Sequence, residues 1–205
     1  MSEYLLGAAK AFKKLLAVEY DIVVAHKGMA RYIRLKFMKE HFYHLCGLQY
    51  AYGSTHVRTL RKEEAFDLVM TEKLTDNDIF GNNSQVSRDR ILCVKELERI
   101  LDGDDLYFLW DYRRKTISKI KAEYLISSTA GTFPCFIFIE NANFDGHYCK
   151  SLFSPSKDNK EEYLKGLTNF TLLYKRKRIL DTGECILQHN MKTLTNTQFE
   201  ELGIP

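Results

Sequence analysis

The sequence predicts an α+β fold in which N-terminal helices and a β-hairpin pack on a predominantly antiparallel C-terminal sheet. In the first half, apolar residues recur at the spacing of amphipathic helices. Beyond residue 104, short segments rich in β-branched and aromatic residues alternate with turn formers, as in antiparallel sheets. A chain of 205 residues can bury one good core, so we predict a single domain over residues 1–189 and a tail over residues 190–205.

The first half begins with an amphipathic helix and continues into a hairpin around the turn-like residues 26–28. In the second strand of this hairpin, apolar residues alternate with Arg34 and Lys36, which predicts one core face and one basic face. The predicted helices cover residues 1–16, 38–47, 61–71 and 85–101, the hairpin strands cover residues 18–24 and 30–37, and residues 75–84 are predicted as a loop.

The second half is predicted to form the antiparallel sheet, on which the helices pack. Its predicted strands cover residues 106–112, 121–128, 133–139, 148–153, 169–178 and 184–188. Residues 154–161 are predicted as a linker.

Composition limits the compartment and the partners. A formal net charge of +3 is too small for a dedicated duplex-DNA binder, so affinity for nucleic acid has to come from local clusters of cations. The five cysteines include no C-x-x-C pair, which fits a reducing cytoplasm better than a disulfide framework or a zinc ribbon. No apolar run approaches the ~20 residues of a membrane span. Nucleotide-binding and two-metal signatures are also missing, so we predict a cytoplasmic protein with no membrane association, no cofactor and no metal.

Two histidines one helical turn apart, His41 and His44, lie in the segment that follows the basic strand. An imidazole titrates near neutral pH, so such a pair can accept and donate the protons of a phosphoryl-transfer reaction. The competing interpretation is that a histidine on a helix flank is a surface or core-edge residue hydrogen-bonded to backbone, and this is the more frequent case. A zinc site is disfavoured because two ligands are too few.

Two further groups can contact a phosphate. Lys150 and Ser151 lie on a strand after a turn, where the ammonium can neutralise the charge of a phosphate and the hydroxyl can orient the phosphate. The alternative is a hairpin with both side chains in solvent. The segment 171–178 ends in four consecutive cations, which can bind an RNA backbone or can be a solvated strand edge. The predicted nucleic-acid-binding residues are Arg34, Lys36, Tyr174, Lys175, Arg176, Lys177 and Arg178.

The strand at residues 33–37 and the F-Y-H-L-C-G-L segment at residues 42–48 resemble a phage-associated group of barnase/EndoU/colicin/RelE-like nucleases, which has an F-x-H-L-x-G-like segment after a strand. The segments 150–152 and 171–175 add to the resemblance, which touches most of the chain from about residue 18 to residue 180. It implies a metal-independent endoribonuclease, phage- or prophage-encoded, that acts on host RNA such as tRNA by attack of the 2′-hydroxyl on the adjacent phosphate.

The resemblance also implies roles for individual residues. His44 would be the general base or acid, Lys150 the electrostatic stabiliser, and Ser151, Thr171 or Tyr174 groups that orient the phosphate, while the second acid–base partner is left open. The alternative function is a non-enzymatic interaction protein that binds a host protein or nucleic acid and inhibits a defence or regulatory system. The 13 Phe and 12 Tyr can supply exposed anchors for such a protein partner.

Overall fold

The structure is a computed structural model, and it describes residues 3–51, 55–80, 88–103, 105–115, 118–129, 133–142, 146–190 and 196–204. Its helices are α1 (Tyr4–Leu15), α2 (Lys39–Leu45), α3 (Thr55–Thr59), α4 (Lys62–Met70), α5 (Asp76–Ile79), α6 (Arg88–Asp102), α7 (Lys157–Leu164) and α8 (Asn196–Glu201). Its strands are β1 (Val18–His26), β2 (Met29–Lys36), β3 (Leu106–Leu109), β4 (Tyr124–Ser128), β5 (Cys135–Asn141), β6 (His147–Phe153), β7 (Thr168–Ile179) and β8 (Cys185–Asn190). Short 3₁₀ helices occur at Leu48–Tyr50 and Tyr112–Arg114.

The strands form a closed, mixed β-barrel. Seven of them follow the order β1-β2-β6-β5-β4-β3-β7, and β7 pairs back onto β1, while β8 extends the sheet from β7. All pairings are antiparallel except that of β2 with β6, in which Leu35 lies opposite His147 and Lys36 opposite Tyr148. Closure satisfies backbone groups that an open sheet would leave unpaired along its edges.

The predicted fold class, a predominantly antiparallel C-terminal sheet with a hairpin packed on it, is therefore wrong. The hairpin is part of the barrel, because β1 pairs with β2 on one side and with β7 on the other. The parallel contact between β2 and β6 makes the barrel mixed and closes it. Neither pairing could be read from the alternation of residues within one strand, since alternation does not identify the neighbouring strand.

Most of the individual elements are confirmed. The hairpin turns through Lys27 and Gly28, both with positive φ, as two-residue hairpin turns require. The six strands predicted in the second half all occur, with shifted ends. The predicted linker over residues 154–161 is wrong, since α7 occupies most of it, and the predicted loop over residues 75–84 contains α5. Residues 81–84 of that loop and residues 85–87 of the last predicted helix lie outside the described residues.

The main core lies between the barrel strands and the helices that precede β3. Apolar residues of α1, α2, α4 and α6 pack on one face of the strands. Within it, the rings of Phe12, Phe42 and Phe66 have centroids 5.5 to 6.1 Å apart. Two smaller apolar clusters lie elsewhere. In the first, the ring of Tyr163 on α7 stacks on the ring of Trp110 with centroids 6.0 Å apart. The second lies beside the C-terminal segment, which contributes Ile204. Among the described residues, none of the helices has the length and apolar character needed to cross a membrane.

The start of α2 is fixed by its position next to the end of β2. The strand ends at Lys36 and the helix begins at Lys39, so α2 leaves the barrel edge at once and packs its apolar face into the core. It ends at Gly47, which has φ of 73°. The helix is consequently held at both ends, and its exposed flank faces β6.

Candidate active site

A cleft of about 320 Å³ opens between α2 and β6, where the parallel strand pair closes the barrel. Its walls come from the segment around α2, from the first residue of α4 and from β6 with the segment before it. The lining residues are Met38, Glu40, His41, His44, Lys62, Ala142, Tyr148, Cys149 and Lys150.

His44 lies in the last turn of α2 and is half-buried in the cleft wall. Burial lowers the pKa of His44 below its ordinary value, and the positive charges of Lys62 and Lys150 lower it further, against a smaller opposing effect of a hydrogen bond with Gln49. The imidazole is therefore neutral at pH 7. The neutral ring has an unprotonated nitrogen that can accept a proton, and the neighbouring cations make it a weaker base than an ordinary histidine.

His41 lies one turn earlier in α2 and is in a different state. Its Nδ1 accepts the backbone N–H of Met38 at 3.1 Å, and its ring stacks on Tyr148 with centroids 5.0 Å apart. Burial lowers the pKa of His41 to about 4, with a smaller contribution from the charge of His44. His41 is thus a neutral ring whose other nitrogen, Nε2, carries the proton and can only donate. His41 is only 7% exposed and is hydrogen-bonded to the backbone, so of the two forms of the competing interpretation it matches the core-edge residue and not the surface residue.

Lys150 lines the cleft and lies at a β-bulge in β6. Phe138 of β5 pairs with Ser151, whereas the next residue, Ile139, pairs with Cys149, so Lys150 has no partner in β5. The Lys150 side chain lies on the same face as Tyr148, and both line the cleft beside α2. A residue at a bulge is aimed differently from its neighbours in a regular strand, which is a common arrangement beside functional sites.

Lys150, Tyr148 and Glu140 form a hydrogen-bonded group on one wall. The Lys150 ammonium donates to Glu140 at 2.7 Å and to the Tyr148 hydroxyl at 3.4 Å, and that hydroxyl donates to Glu140. Burial and the hydrogen bond to Glu140 raise the pKa of Tyr148. Burial lowers the pKa of Lys150, but the hydrogen bond and charge of Glu140 outweigh it, and the net shift is upward. Both groups therefore keep their protons at neutral pH.

Ser151 lies behind the cleft. Its buried hydroxyl accepts from the Arg90 guanidinium at 3.5 Å, and the same Arg90 nitrogen donates to the backbone carbonyl of His44 at 3.3 Å. Arg90 thereby ties the end of α2 to β6. The phosphate-orienting role of Ser151 stays a prediction.

Thr171 lies away from this group. It is exposed on β7, opposite Ala25 of β1, and β1 and β2 separate β7 from β6 on that side of the barrel. It is not among the described residues that line the cleft. The structure thus brings His44 and Lys150 together, with Ser151 behind them, and leaves Thr171 on another part of the surface.

The predicted nucleic-acid-binding residues form ion pairs within the barrel wall. Glu19 accepts from Arg178 at 2.6 Å and from Arg34 at 3.0 Å, and lies 3.9 Å from Lys36. These cations are paired with a carboxylate that is itself almost completely buried.

The rest of the basic run is similarly engaged. Arg176 donates to Asp21 at 2.8 Å, and Lys177 donates to Glu98 at 2.6 Å. Lys175 is completely buried and donates to the carbonyl of Gly103, while Tyr174 packs in the small cluster beside the C-terminal segment. Their role in binding RNA stays a prediction, and the geometry accounts for them as structural residues.

Several residues in the cleft or bonded to its lining were not predicted as site residues from the sequence. Tyr148 had a visible signal, since it lies two residues from Lys150 and so shares its face of the strand. Glu140 is opposite Tyr148 only because of the observed register. Lys62 and Arg90 come from helices distant in the sequence, and their approach to His44 carries no sequence signal.

The family model for phage-Barnase-EndoU-ColicinE5/D-RelE like nuclease4 matches residues 5–191. The chain belongs to this nuclease family. The match covers every residue that lines the cleft as well as the whole barrel. No curated protein and no solved structure matches the chain. Membership of the nuclease family makes a nucleic acid the expected class of substrate.

Proposed function

We propose that the protein is a metal-independent endoribonuclease of this phage-associated family, acting on intracellular RNA such as tRNA. The observation that carries the proposal is the opposition, across one cleft, of a histidine whose pKa is lowered and a tyrosine–lysine pair whose pKa values are raised. Groups whose pKa values are pushed apart are suited to act as base and acid at the same pH. An intracellular location is supported by five free cysteines, four of them buried.

In the proposed reaction His44 is the general base. Its neutral imidazole accepts the proton of the ribose 2′-hydroxyl while the 2′-oxygen forms a bond to the adjacent phosphorus. His41 cannot share this role, because its Nδ1 is engaged by the backbone of Met38. Instead, the Nε2–H of His41 is available to donate to a phosphate oxygen.

The opposite wall completes the reaction. Lys150 neutralises negative charge on the phosphate oxygens, and Tyr148 donates its proton to the 5′-oxygen as the bond from phosphorus to that oxygen breaks. The products are a 2′,3′-cyclic phosphate and a free 5′-hydroxyl. The ammonium of Lys150, 3.4 Å from the phenolic oxygen, offsets the charge left on Tyr148.

The test compares end-labelled RNA with DNA of the same sequence, both in EDTA. We expect cleavage of RNA with cyclic phosphate ends and no cleavage of DNA, because DNA lacks the attacking hydroxyl. The variants His44→Ala and Lys150→Ala should each lose roughly 10²-fold or more in rate. The matched control is Lys13→Ala, which removes an exposed ammonium from α1, a helix that contributes nothing to the cleft.

Three results would contradict the proposal: cleavage of DNA at the rate of RNA, loss of activity in EDTA that a divalent metal restores, or an undiminished rate in His44→Ala. If wild type and the double variant His44→Ala/Lys150→Ala both leave a broad set of tRNAs and mRNAs intact, the chain is not a nuclease for those substrates, and the non-enzymatic alternative takes precedence.

A further inference from the structure

The cations around the cleft differ in how they are neutralised. On the β1–β2–β7 wall, four of the cations have carboxylate partners within 3.0 Å, namely Arg34, Arg176, Lys177 and Arg178. A phosphate approaching that wall would have to displace Glu19 or Asp21, both buried. Displacing a partner from a buried carboxylate is costly, because the carboxylate is left unpaired. That wall is therefore a poor route for an RNA backbone.

The opposite side of the cleft is basic and open. Arg58, Arg61 and Lys62 follow one another along α3 and the start of α4 and are exposed; we call them the α3–α4 rim. Within the described residues, the ion pairs include none between Lys62 and a carboxylate, and Arg61 has only a 3.9 Å contact with Glu64. Both side chains of that contact are more than half exposed, so it holds the guanidinium weakly.

The rim is attached to the catalytic helix. The Tyr43 hydroxyl, on α2, donates to the backbone carbonyl of Arg58 at 3.1 Å, and the Lys62 side chain lines the cleft itself. The charge of Lys62 acts directly on His44. A phosphate held at Lys62 would consequently lie beside the proposed base.

An aromatic surface lies at the end of the same helix. Tyr50 follows Gly47, which ends α2, and the Tyr50 ring would be 3.5 Å from a Cβ at that position. The Arg90 guanidinium lies 5.7 Å from the centre of the Tyr50 ring, while 40% of the residue is exposed. An exposed tyrosine next to cations is the arrangement on which single-stranded bases stack.

We propose that single-stranded RNA enters the cleft across the α3–α4 rim, with phosphates on Arg61 and Lys62 and a base stacked on Tyr50. The inference rests on the proposed function, because it concerns the route of the substrate to that site. A single strand is expected, because a base can stack on Tyr50 only when it is splayed out of a duplex.

The test measures binding without cleavage, using a fluorescent 2′-O-methyl RNA decamer whose blocked 2′-oxygen cannot attack. Anisotropy titrations at several salt concentrations compare wild type with Arg61→Ala/Lys62→Ala. Two matched doubles remove the same charge, Lys13→Ala/Lys14→Ala on α1 and Arg34→Ala/Lys36→Ala on β2. Urea unfolding of each variant verifies that it is folded.

We expect Arg61→Ala/Lys62→Ala to bind the decamer at least roughly 10-fold more weakly than wild type. The slope of log affinity against log salt concentration should be smaller in magnitude by about 1.4, the value for two phosphate contacts on a single strand. The double variant on α1 should bind the decamer as wild type does. The double variant on β2 should lose less affinity for the decamer than the rim double variant loses. Tyr50→Ala should weaken binding roughly 5-fold or more without changing the salt slope, and Tyr50→Phe should retain it.

The inference is overturned if the rim double binds like wild type, if the α1 double loses as much as the rim double, or if the decamer does not bind at all. Failure of the proposed chemistry is a separate outcome. Rim-dependent binding of the decamer with no cleavage of unmodified RNA would leave the route standing and remove the endoribonuclease assignment. Cleavage of RNA together with binding that does not depend on the rim would leave the endoribonuclease assignment standing and remove the route.

Discussion

Replacing Gly47 by alanine tests the junction that holds His44 in place. Gly47 has φ of 73°, and a Cβ there would lie 2.8 Å from Cδ of Arg90. The left-handed backbone costs a non-glycine residue about 1–2 kcal/mol. Moving Arg90 also sacrifices one of its long hydrogen bonds, to His44 or to Ser151, for about 1 kcal/mol more. We therefore expect Gly47→Ala to lower the free energy of unfolding by about 2–3 kcal/mol.

Gly28→Ala is the matched control, because Gly28 has φ of 81° and no atom within 4 Å of its Cβ position. Gly28→Ala should lower the free energy of unfolding only by the cost of the left-handed backbone. The difference of about 1 kcal/mol between the two variants then measures the displacement of Arg90. Urea unfolding gives both values. In a thermal scan, Gly47→Ala should lower Tm by roughly 4–12 °C. Equal losses in the two variants would refute the reasoning, as would an undiminished cost of Gly47→Ala in an Arg90→Ala background.

Three further predictions concern titration and charge pairing. The rate of RNA cleavage should fall as the pH drops through the lowered pKa of His44, so the acid limb of a profile of kcat/KM against pH should be centred below the ordinary histidine value of 6.5; an acid limb centred above that value would contradict it. The pKa of His41 falls from 6.5 to about 4 on folding, so between pH 6.5 and pH 4 the unfolded chain binds more protons than the folded chain. The free energy of unfolding should therefore decrease by up to about 3 kcal/mol as the pH falls from 6.5 to 4. Urea unfolding of His41→Asn should show a shallower dependence, and an unchanged one would exclude His41 as its source. Arg176→Leu leaves the fully buried Asp21 without its cation and should lower the free energy of unfolding by about 3–5 kcal/mol. Adding Asp21→Asn should recover part of that free energy. If Arg176→Leu lowers it by less than about 1 kcal/mol, Arg176 returns to the candidates for RNA binding.

The local elements were predictable because their signals are local. Alternation in β2 and the positive-φ turn at Lys27 and Gly28 identify the hairpin without reference to the rest of the chain. Likewise, the apolar face of α2 and the glycine that ends it are visible in a dozen residues. His44 could be selected for the same reason, since its motif is contiguous.

The barrel and most of the cleft depend on pairings between distant segments. No pattern in β1 or β7 states that they are neighbours, so the carboxylates that neutralise the basic run could not be assigned to it. The approach of Glu140 to Tyr148 and Lys150 required knowledge of the register between β5 and β6. For these reasons the sequence interpretation placed an RNA surface on a wall whose cations are already paired.

The short parallel contact between β2 and β6 has a consequence for when activity appears. It joins segments far apart in the chain through two residue pairs, and contacts of that kind form late because of the entropy of closing the intervening loop. The proposed base, His44, lies on the helix that follows β2, and the proposed acid, Tyr148, lies in β6 opposite Lys36. A partly folded or still growing chain therefore holds the two walls of the cleft apart, and any activity of the cleft should appear only after the barrel has closed.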